Sequence, residues 1–345
     1  MGMGIKLLEG GVSALLDYLS AHVLTCLVPA FFIAGAISVF VSQSAVLKYF
    51  GVQAKKWLSY SVASVSGTIL AVCSCTVLPL FAGIYKRGAG IGPAVAFLYS
   101  GPAINILAIV YSARLLGYDI GMARFIGAVA FSIIIGLIMA AIYRREEQEK
   151  IAQTLAMPEE IEVKSGWKLL IYFALLVGIL VFGASKRWVI TGVLIALLLI
   201  ILSLWFKREE ILEWLGATWS FTKQIFPLLL IGVFIAGILK VIIPQSIVSN
   251  WVGGNSLRSN FIASLFGALM YFATLTEVPI IKAFMELGMG KGPALALLLA
   301  GPALSLPSML VLRSIMGNRK TAIYILLVVI MATLTGLIFG SLIFE

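Results

Sequence analysis

The chain has 345 residues, a formal net charge of +10, 61% apolar residues and only 12% charged residues. With a mean hydropathy of +1.08, against a charged fraction of roughly 25% in soluble domains, this composition excludes a soluble globular protein. The basic residues fall mostly in short connections between apolar stretches, so lipid headgroups suit them better than nucleic acid.

In chain order, residues 5–22 mix charged residues with leucines and are predicted to form an interfacial helix. Apolar stretches of about 20 residues, long enough to cross a bilayer, follow it. Ten crossings are predicted, and eight to eleven are compatible with the pattern. They are placed near 23–41, 60–84, 93–115, 120–143, 168–185, 188–206, 225–243, 260–284, 293–315 and 321–343. The fold class is therefore an all-α integral membrane protein, a polytopic helical bundle.

The polar connections divide the chain into three regions. Residues 1–143 form a first transmembrane repeat, with the interfacial helix and about four spans. Residues 144–224 contain a charged connector and a linking hairpin, and residues 225–345 form a second repeat. The two charged connectors, at 144–168 and 207–210, are expected in the cytoplasm.

The internal repeat is clearest between residues 67–117 and 267–317. In this 51-residue window 14 positions are identical, and nine of the ten Gly and Pro positions of the first copy recur. If every predicted segment crosses once, six crossings separate the starts of the repeats, and the copies run parallel. If one segment is re-entrant, the copies are inverted, as in many secondary transporters.

The shared positions predict helix breaks at Pro79 and Pro279 and at the dipeptides Gly101-Pro102 and Gly301-Pro302. Proline removes a backbone hydrogen bond, and in a bilayer the freed carbonyl needs a cavity or another helix. The second piece of each Gly-Pro span is expected to begin with Pro and to expose amide donors. The alternative is that Gly-Pro only kinks tightly packed helices.

The first copy carries Cys73, Ser74, Cys75 and Thr76 just before Pro79. On a regular helix the two thiols point about 200° apart, but an unwound chain would let them converge on a soft, thiophilic ligand. Cys26, in the first predicted span, could supply a third sulfur. All three could instead be small apolar residues of the core.

The second copy carries Thr276 and Glu277 at the matching position. A carboxylate inside a span is costly, so we expect Glu277 to face a wet cavity or to take a proton, and thereby to couple proton movement to transport. A structural hydrogen bond to a helix break is the alternative. Asn105 and its counterpart Ser305 are candidate substrate contacts or bridges between helices.

These residues carry a resemblance to a known family. The string from Cys73 to Pro79, followed by Gly88-Ala89-Gly90 and by 100–105, resembles the bacterial predicted permeases that include YraQ-like proteins and organoarsenical efflux (ArsP-like) permeases. The resemblance covers nearly the whole chain. It implies a permease of the inner membrane, and for the characterised branch it implies export of trivalent arsenic species, with Cys73, Cys75 and the 101–105 block near the centre.

We therefore expect a secondary transporter and not an enzyme. No ATP-binding or Rossmann signature is present, and no His or acidic cluster adjoins the thiols, so no catalytic residue, metal site or cofactor is predicted. The expected partners are the lipid bilayer and a small, thiophilic solute such as a trivalent arsenical, moved with protons, and a homo-oligomer is left open. Two alternatives are a membrane thiol redox or sulfur-transfer protein using Cys73 and Cys75, and a passive channel.

Overall fold

The computed structural model describes residues 3–20, 23, 27–41, 55–70, 74–104, 106–147, 166–242, 251–270 and 277–342. These residues form fifteen α-helices, because a chain in hydrocarbon must satisfy its backbone hydrogen bonds internally. In chain order they are α1 (Met3–Tyr18), α2 (Val28–Phe40), α3 (Lys56–Leu70), α4 (Ser74–Lys86), α5 (Ile91–Ala103), α6 (Ile106–Leu116), α7 (Tyr118–Ile142), α8 (Gly166–Ala184), α9 (Trp188–Trp205), α10 (Arg208–Ile242), α11 (Leu257–Leu269), α12 (Glu277–Glu286), α13 (Lys291–Ala303), α14 (Leu306–Met316) and α15 (Asn318–Leu342).

An all-α membrane bundle is confirmed, whereas ten crossings are not found. Among the described helices, α7, α8, α9, α10 and α15 are each long and apolar enough to cross a bilayer. The count rises to seven if the bent pairs α5–α6 and α13–α14 are each one broken span. The difference arises at the predicted breaks, which divide several expected spans into helices of 10 to 15 residues.

The two ends of helix α7 show where α5 and α13 begin. It has 25 residues, or about 37 Å at 1.5 Å per residue. Just beyond its C-terminal end, Glu147 Oε2 accepts a hydrogen bond of 3.0 Å from the backbone N–H of Ile91, where α5 begins. At its N-terminal end, Asp119 pairs with Lys291 Nζ at 2.6 Å, where α13 begins. Helices α5 and α13 therefore begin at opposite ends of the bundle, called here the Ile91 end and the Lys291 end.

The segment predicted to cross at 260–284 is instead a re-entrant hairpin. Gly253, before α11, forms an antiparallel bridge with Met289, after α12, and Gly290 N–H donates to Val252 C=O at 3.2 Å. The chain thus returns to the Lys291 end from which it entered. With 13 and 10 residues, α11 and α12 are each about 20 Å long or less, too short for the roughly 30 Å hydrocarbon core.

The segment predicted to cross at 60–84 returns in the same way. The Tyr60 hydroxyl, in the second turn of α3, lies beside Gly92 at the start of α5. Helix α4 ends at Lys86, and a tight turn with Gly88 at φ +93° leads directly to Ile91. Both ends of this hairpin therefore lie at the Ile91 end.

The hairpin formed by α3 and α4 also decides the direction of the matching stretches. The parallel arrangement assumed that segment 60–84 crosses once, and that segment instead returns to the Ile91 end. The inverted arrangement agrees with α5 and α13 beginning at opposite ends.

The helices α3–α7 (56–142) and α11–α15 (257–342) are called here the two halves. They interlock through these short helices. Helix α12 packs against α6, and α4 packs against α14, so each hairpin contacts the second piece of the other half's broken helix. Helices α5 and α13 also touch directly, where the Tyr99 hydroxyl donates to Leu299 C=O at 3.4 Å.

Candidate functional site

Glu277 is the first residue of α12 and is only 1% exposed. Helix α12 begins at this residue and is held between α6 and α13. This position places a carboxylate inside the bundle, at the junction between the two halves.

Arg124 on α7 provides the counter-charge. Its side chain and that of Glu277 are both 0% exposed, and Nη2 lies 2.9 Å from Glu277 Oε1. Its Nη1 donates to Ser112 Oγ on α6 at 2.9 Å, and that hydroxyl donates in turn to Ala108 C=O at 2.7 Å. The carboxylate is thus one member of a buried ion pair. The sequence had suggested an isolated group.

The ion pair retains unused hydrogen-bonding capacity. Arg124 Nε and Glu277 Oε2 are buried and form no hydrogen bond with the described residues. The backbone of α13 passes beside the carboxylate, because a Cβ added at Gly301 would lie 3.6 Å from Glu277 Oε2. Glycine therefore leaves a space next to the pair that a side chain would fill.

The ion pair occupies one half of the molecule only. The bounds of α13, α14 and α15 are those of α5, α6 and α7 shifted by 200 positions, so Val77 and Tyr324 correspond to Glu277 and Arg124. Val77 is 2% exposed, and the Tyr324 hydroxyl donates to Ala303 C=O at 3.3 Å. The corresponding site on the other side is thus uncharged.

A second ionic cluster lies at the Ile91 end. Lys320, in the first turn of α15 and 5% exposed, pairs with Glu146 at 2.7 Å and lies 3.8 Å from Glu147. Its Nζ also donates to the Tyr85 hydroxyl at 3.1 Å. This cluster joins α15, the end of α7, the end of α4 and, through Glu147, the start of α5.

The breaks fall close to the predicted positions but not at them. Gly101 and Pro102 are buried in the last turn of α5, and the break follows at Ile104. Gly301 and Pro302 are placed in the same way in α13. Proline costs one hydrogen bond with an earlier carbonyl, and the helix survives that loss for one more residue.

The expectation that the second pieces begin with these prolines is therefore wrong. In α14 the N-terminal proline is Pro307. Pro79 lies inside α4, whose helix starts at Ser74, and Pro279 is the third residue of α12. Each helix thus begins before its proline.

Other predicted site residues have local structural roles or lie outside the described residues. Thr76 is 1% exposed. Ser305 caps α14 by accepting from Ser308 N–H at 3.3 Å. Outside the described part lie Cys26, Cys73, Asn105, Thr276 and the side chains of Ser74 and Cys75. The thiol site therefore stays a prediction.

Arg124 is the main functional candidate that the sequence analysis missed. It lies within the predicted span 120–143, whereas most basic residues fall in the connections between spans. A charged residue inside an apolar span generally marks a functional site. That signal was available, but the position near the end of the span concealed it.

The comparisons with known proteins identify the family of the chain. Residues 10–341 match the ArsP_1 family, described as predicted permease. The chain is 49% identical to UPF0718 protein MJ0584 of Methanocaldococcus jannaschii over 349 residues, covering 95% of this chain and 94% of the relative. It is 25% identical to UPF0718 protein YraQ of Escherichia coli (strain K12) over 274 residues, covering 79% of this chain and 63% of the relative. No solved structure matches. The chain therefore belongs to the predicted-permease family and is a multi-pass membrane protein.

Proposed function

We propose that the chain is a proton-coupled secondary transporter that moves a small solute across the inner membrane by alternating access. The observation that carries the proposal is the fully buried Arg124–Glu277 pair at the junction of two halves with opposite direction. Inverted halves with broken helices at the junction are the architecture of many secondary transporters. On this proposal the sequence repeat is an inverted structural repeat.

The ion pair provides a means of coupling. While Glu277 is ionised, its attraction to Arg124 holds α12 against α7. Protonation removes this attraction and leaves a buried guanidinium without a counter-charge, which is costly. The resulting free-energy difference favours movement of the α11–α12 hairpin relative to α7, and so links a proton to a change in access.

The proposed solute site extends from this pair to the sequence around the start of α4. The thiols of Cys73 and Cys75 suit a soft ligand, so a trivalent arsenical is the first substrate to test. The remaining proposed contacts flank the breaks: Ser74, Thr76, Gly101, Pro102, Asn105, Thr276, Gly301, Pro302 and Ser305.

Transport in proteoliposomes with an imposed pH gradient tests the proposal. We expect the wild type to accumulate solute against its gradient and a protonophore to abolish the accumulation. Glu277→Gln should lose proton-driven accumulation, while Glu286→Gln, which changes an exposed carboxylate on the same helix, should retain it. Proton-driven accumulation by Glu277→Gln at the wild-type rate would refute the coupling role.

The substrate is tested separately with purified protein. Arsenite, methylarsenite, thiosulfate and divalent metals are compared for their effect on the unfolding temperature of the wild type, Cys73→Ser and Cys75→Ser. Stabilisation by an arsenical that both serine variants lose is the expected result. Equal stabilisation of all three proteins would exclude the thiols as ligands.

A further inference from the structure

We infer that Arg124 binds an anionic group of the transported solute, a carboxylate or small oxyanion, in place of Glu277. This inference rests on the proposed transport function and narrows the solute to one that carries an anionic group, as thiosulfate does and uncharged arsenite does not. The solute's anionic group and the Glu277 carboxylate compete for one guanidinium, so the anion binds when Glu277 is protonated.

The first argument is the charge balance around Arg124. The guanidinium is 0% exposed and has one ion-pair partner among the described residues, the Glu277 carboxylate at 2.9 Å. When that carboxylate is neutral, the buried positive charge needs another anion, because an uncompensated charge in a membrane protein interior is strongly unfavourable. A proton on Glu277 and an anion at Arg124 together restore the net charge of the occupied site.

The second argument is the arrangement of hydrogen-bond donors. Arg124 Nη1 donates to Ser112, and Nη2 lies 2.9 Å from Glu277 Oε1 as an ion pair. Both Nη2 and Nε are buried and form no hydrogen bond with the described residues. Nε and Nη2 are the donors that a guanidinium presents to a carboxylate or oxyanion in a bidentate pair. Neither of the two makes a hydrogen bond in the resting structure, so an oxyanion replacing Glu277 can gain hydrogen bonds.

The third argument is the space next to the carboxylate. Gly301 presents no side chain to Glu277 Oε2, and a Cβ there would stand 3.6 Å from that oxygen. The oxygen is buried and has no hydrogen-bond partner among the described residues. This part of the site can therefore change occupant without moving a side chain of α13.

Other charged groups on the surrounding helices do not occupy this role. The uncharged hydroxyl of Tyr99 on α5 donates to Leu299 C=O. Lys291 of α13 pairs with Asp119 of α7, and Arg114 at the end of α6 is exposed. Helix α12 itself also carries Lys282, more than one turn beyond Glu277, and Glu286, more than two turns beyond it.

Anion binding to the purified full-length protein in detergent tests the inference. The probes are sodium acetate, sulfate and thiosulfate, with sodium gluconate as a bulky control, and the readouts are the unfolding temperature and the Kd. Glu277→Gln should bind at least one small anion about tenfold more tightly than the wild type at pH 8. The Glu277→Gln/Arg124→Gln double variant should lose this binding, and an unchanged Kd in the double variant would overturn the inference.

Two further measurements keep the test decisive if Glu277→Gln does not fold. Wild-type affinity for the anion should increase as the pH is lowered from 8 to 5, because protonation frees Arg124, and a Kd independent of pH would overturn the inference. Gly301→Ala, which fits beside the resting carboxylate, should weaken anion binding about tenfold without lowering the unfolding temperature measured in gluconate. If Gly301→Ala bound the anion with the wild-type Kd, the placement of the anion beside Gly301 would be overturned.

The outcomes separate this inference from the proposed function. Anion binding at Arg124 without proton-driven accumulation would refute the transport proposal and leave the anion site supported. Proton-driven accumulation of a solute with no anion binding at Arg124 would refute the anion site alone.

Discussion

At the residue scale, the pair of Arg124 and Glu277 shows how a membrane protein retains charges in its interior. Each charge is tolerated because the other is 2.9 Å away and neither is exposed. Ser112 orients the guanidinium through Nη1. The sequence identified the carboxylate, because an acidic residue within an apolar span is rare. It could not identify the partner, which lies 153 positions earlier on a helix whose contacts depend on the fold.

Loss of one member of the pair should destabilise the protein more than loss of both. Arg124→Gln and Glu277→Gln should each cost about 3–5 kcal/mol, because each leaves a buried charge without a partner. The double variant should cost clearly less than the sum. Thermal unfolding in detergent measures this coupling, and Arg114→Gln, an exposed position, should change stability by less than about 0.5 kcal/mol. Additive effects of the two single changes would show that the charges do not interact.

At the element scale, glycines set the separation of the central helices. A Cβ at Gly92 would stand 2.8 Å from Gly136 C=O, and a Cβ at Gly292 would stand 2.6 Å from Gly336 C=O. The crossings of α5 with α7 and of α13 with α15 thus depend on facing glycines, which allow backbones in a membrane to approach closely. This packing places α13 beside Glu277.

Adding a methyl group at one of these crossings should therefore be destabilising. Gly336→Ala would bring Cβ to 2.6 Å from Gly292 C=O and 2.8 Å from Ala296 Cβ, so we expect a loss of about 1–3 kcal/mol from overpacking. Gly216→Ala is the matched control, because the helical Gly216 has no atom within 4 Å of such a Cβ. It should be neutral or stabilising by up to about 1 kcal/mol. Equal unfolding temperatures of the two variants would contradict this account of the crossing.

At the scale of the whole molecule, the two re-entrant hairpins enter from opposite ends. In each hairpin the second helix contacts the other half, because α12 packs against α6 and α4 packs against α14. Many described basic residues lie at the Ile91 end, among them Lys55, Lys56, Lys86, Arg87, Arg144, Arg145 and Lys320. The positive-inside rule then favours a cytoplasmic Ile91 end.

Labelling from one side of the membrane tests this topology. Single cysteines replace Leu257 or Leu287, exposed residues at the two ends of the α11–α12 hairpin, in a background with Cys26, Cys73 and Cys75 changed to Ala. An impermeant thiol reagent should reach both from the same side. Trp57→Cys, at the Ile91 end, should react from the other side. If positions 257 and 287 were labelled from opposite sides, segment 260–284 would cross the membrane and the re-entrant hairpin would be wrong.

Local sequence determined the class of the protein and the approximate positions of its breaks. Long apolar stretches specify membrane helices because unpaired backbone groups are not tolerated in lipid, and Gly and Pro interrupt them at predictable sites. Tertiary structure alone decided three features: that segments 60–84 and 260–284 return to their own side, that the matching stretches run in opposite directions, and that Arg124 neutralises Glu277. The physical reason is that each depends on contacts between distant segments, such as Gly253 with Met289 and α7 with α12, and neither hydropathy nor local propensity contains that information.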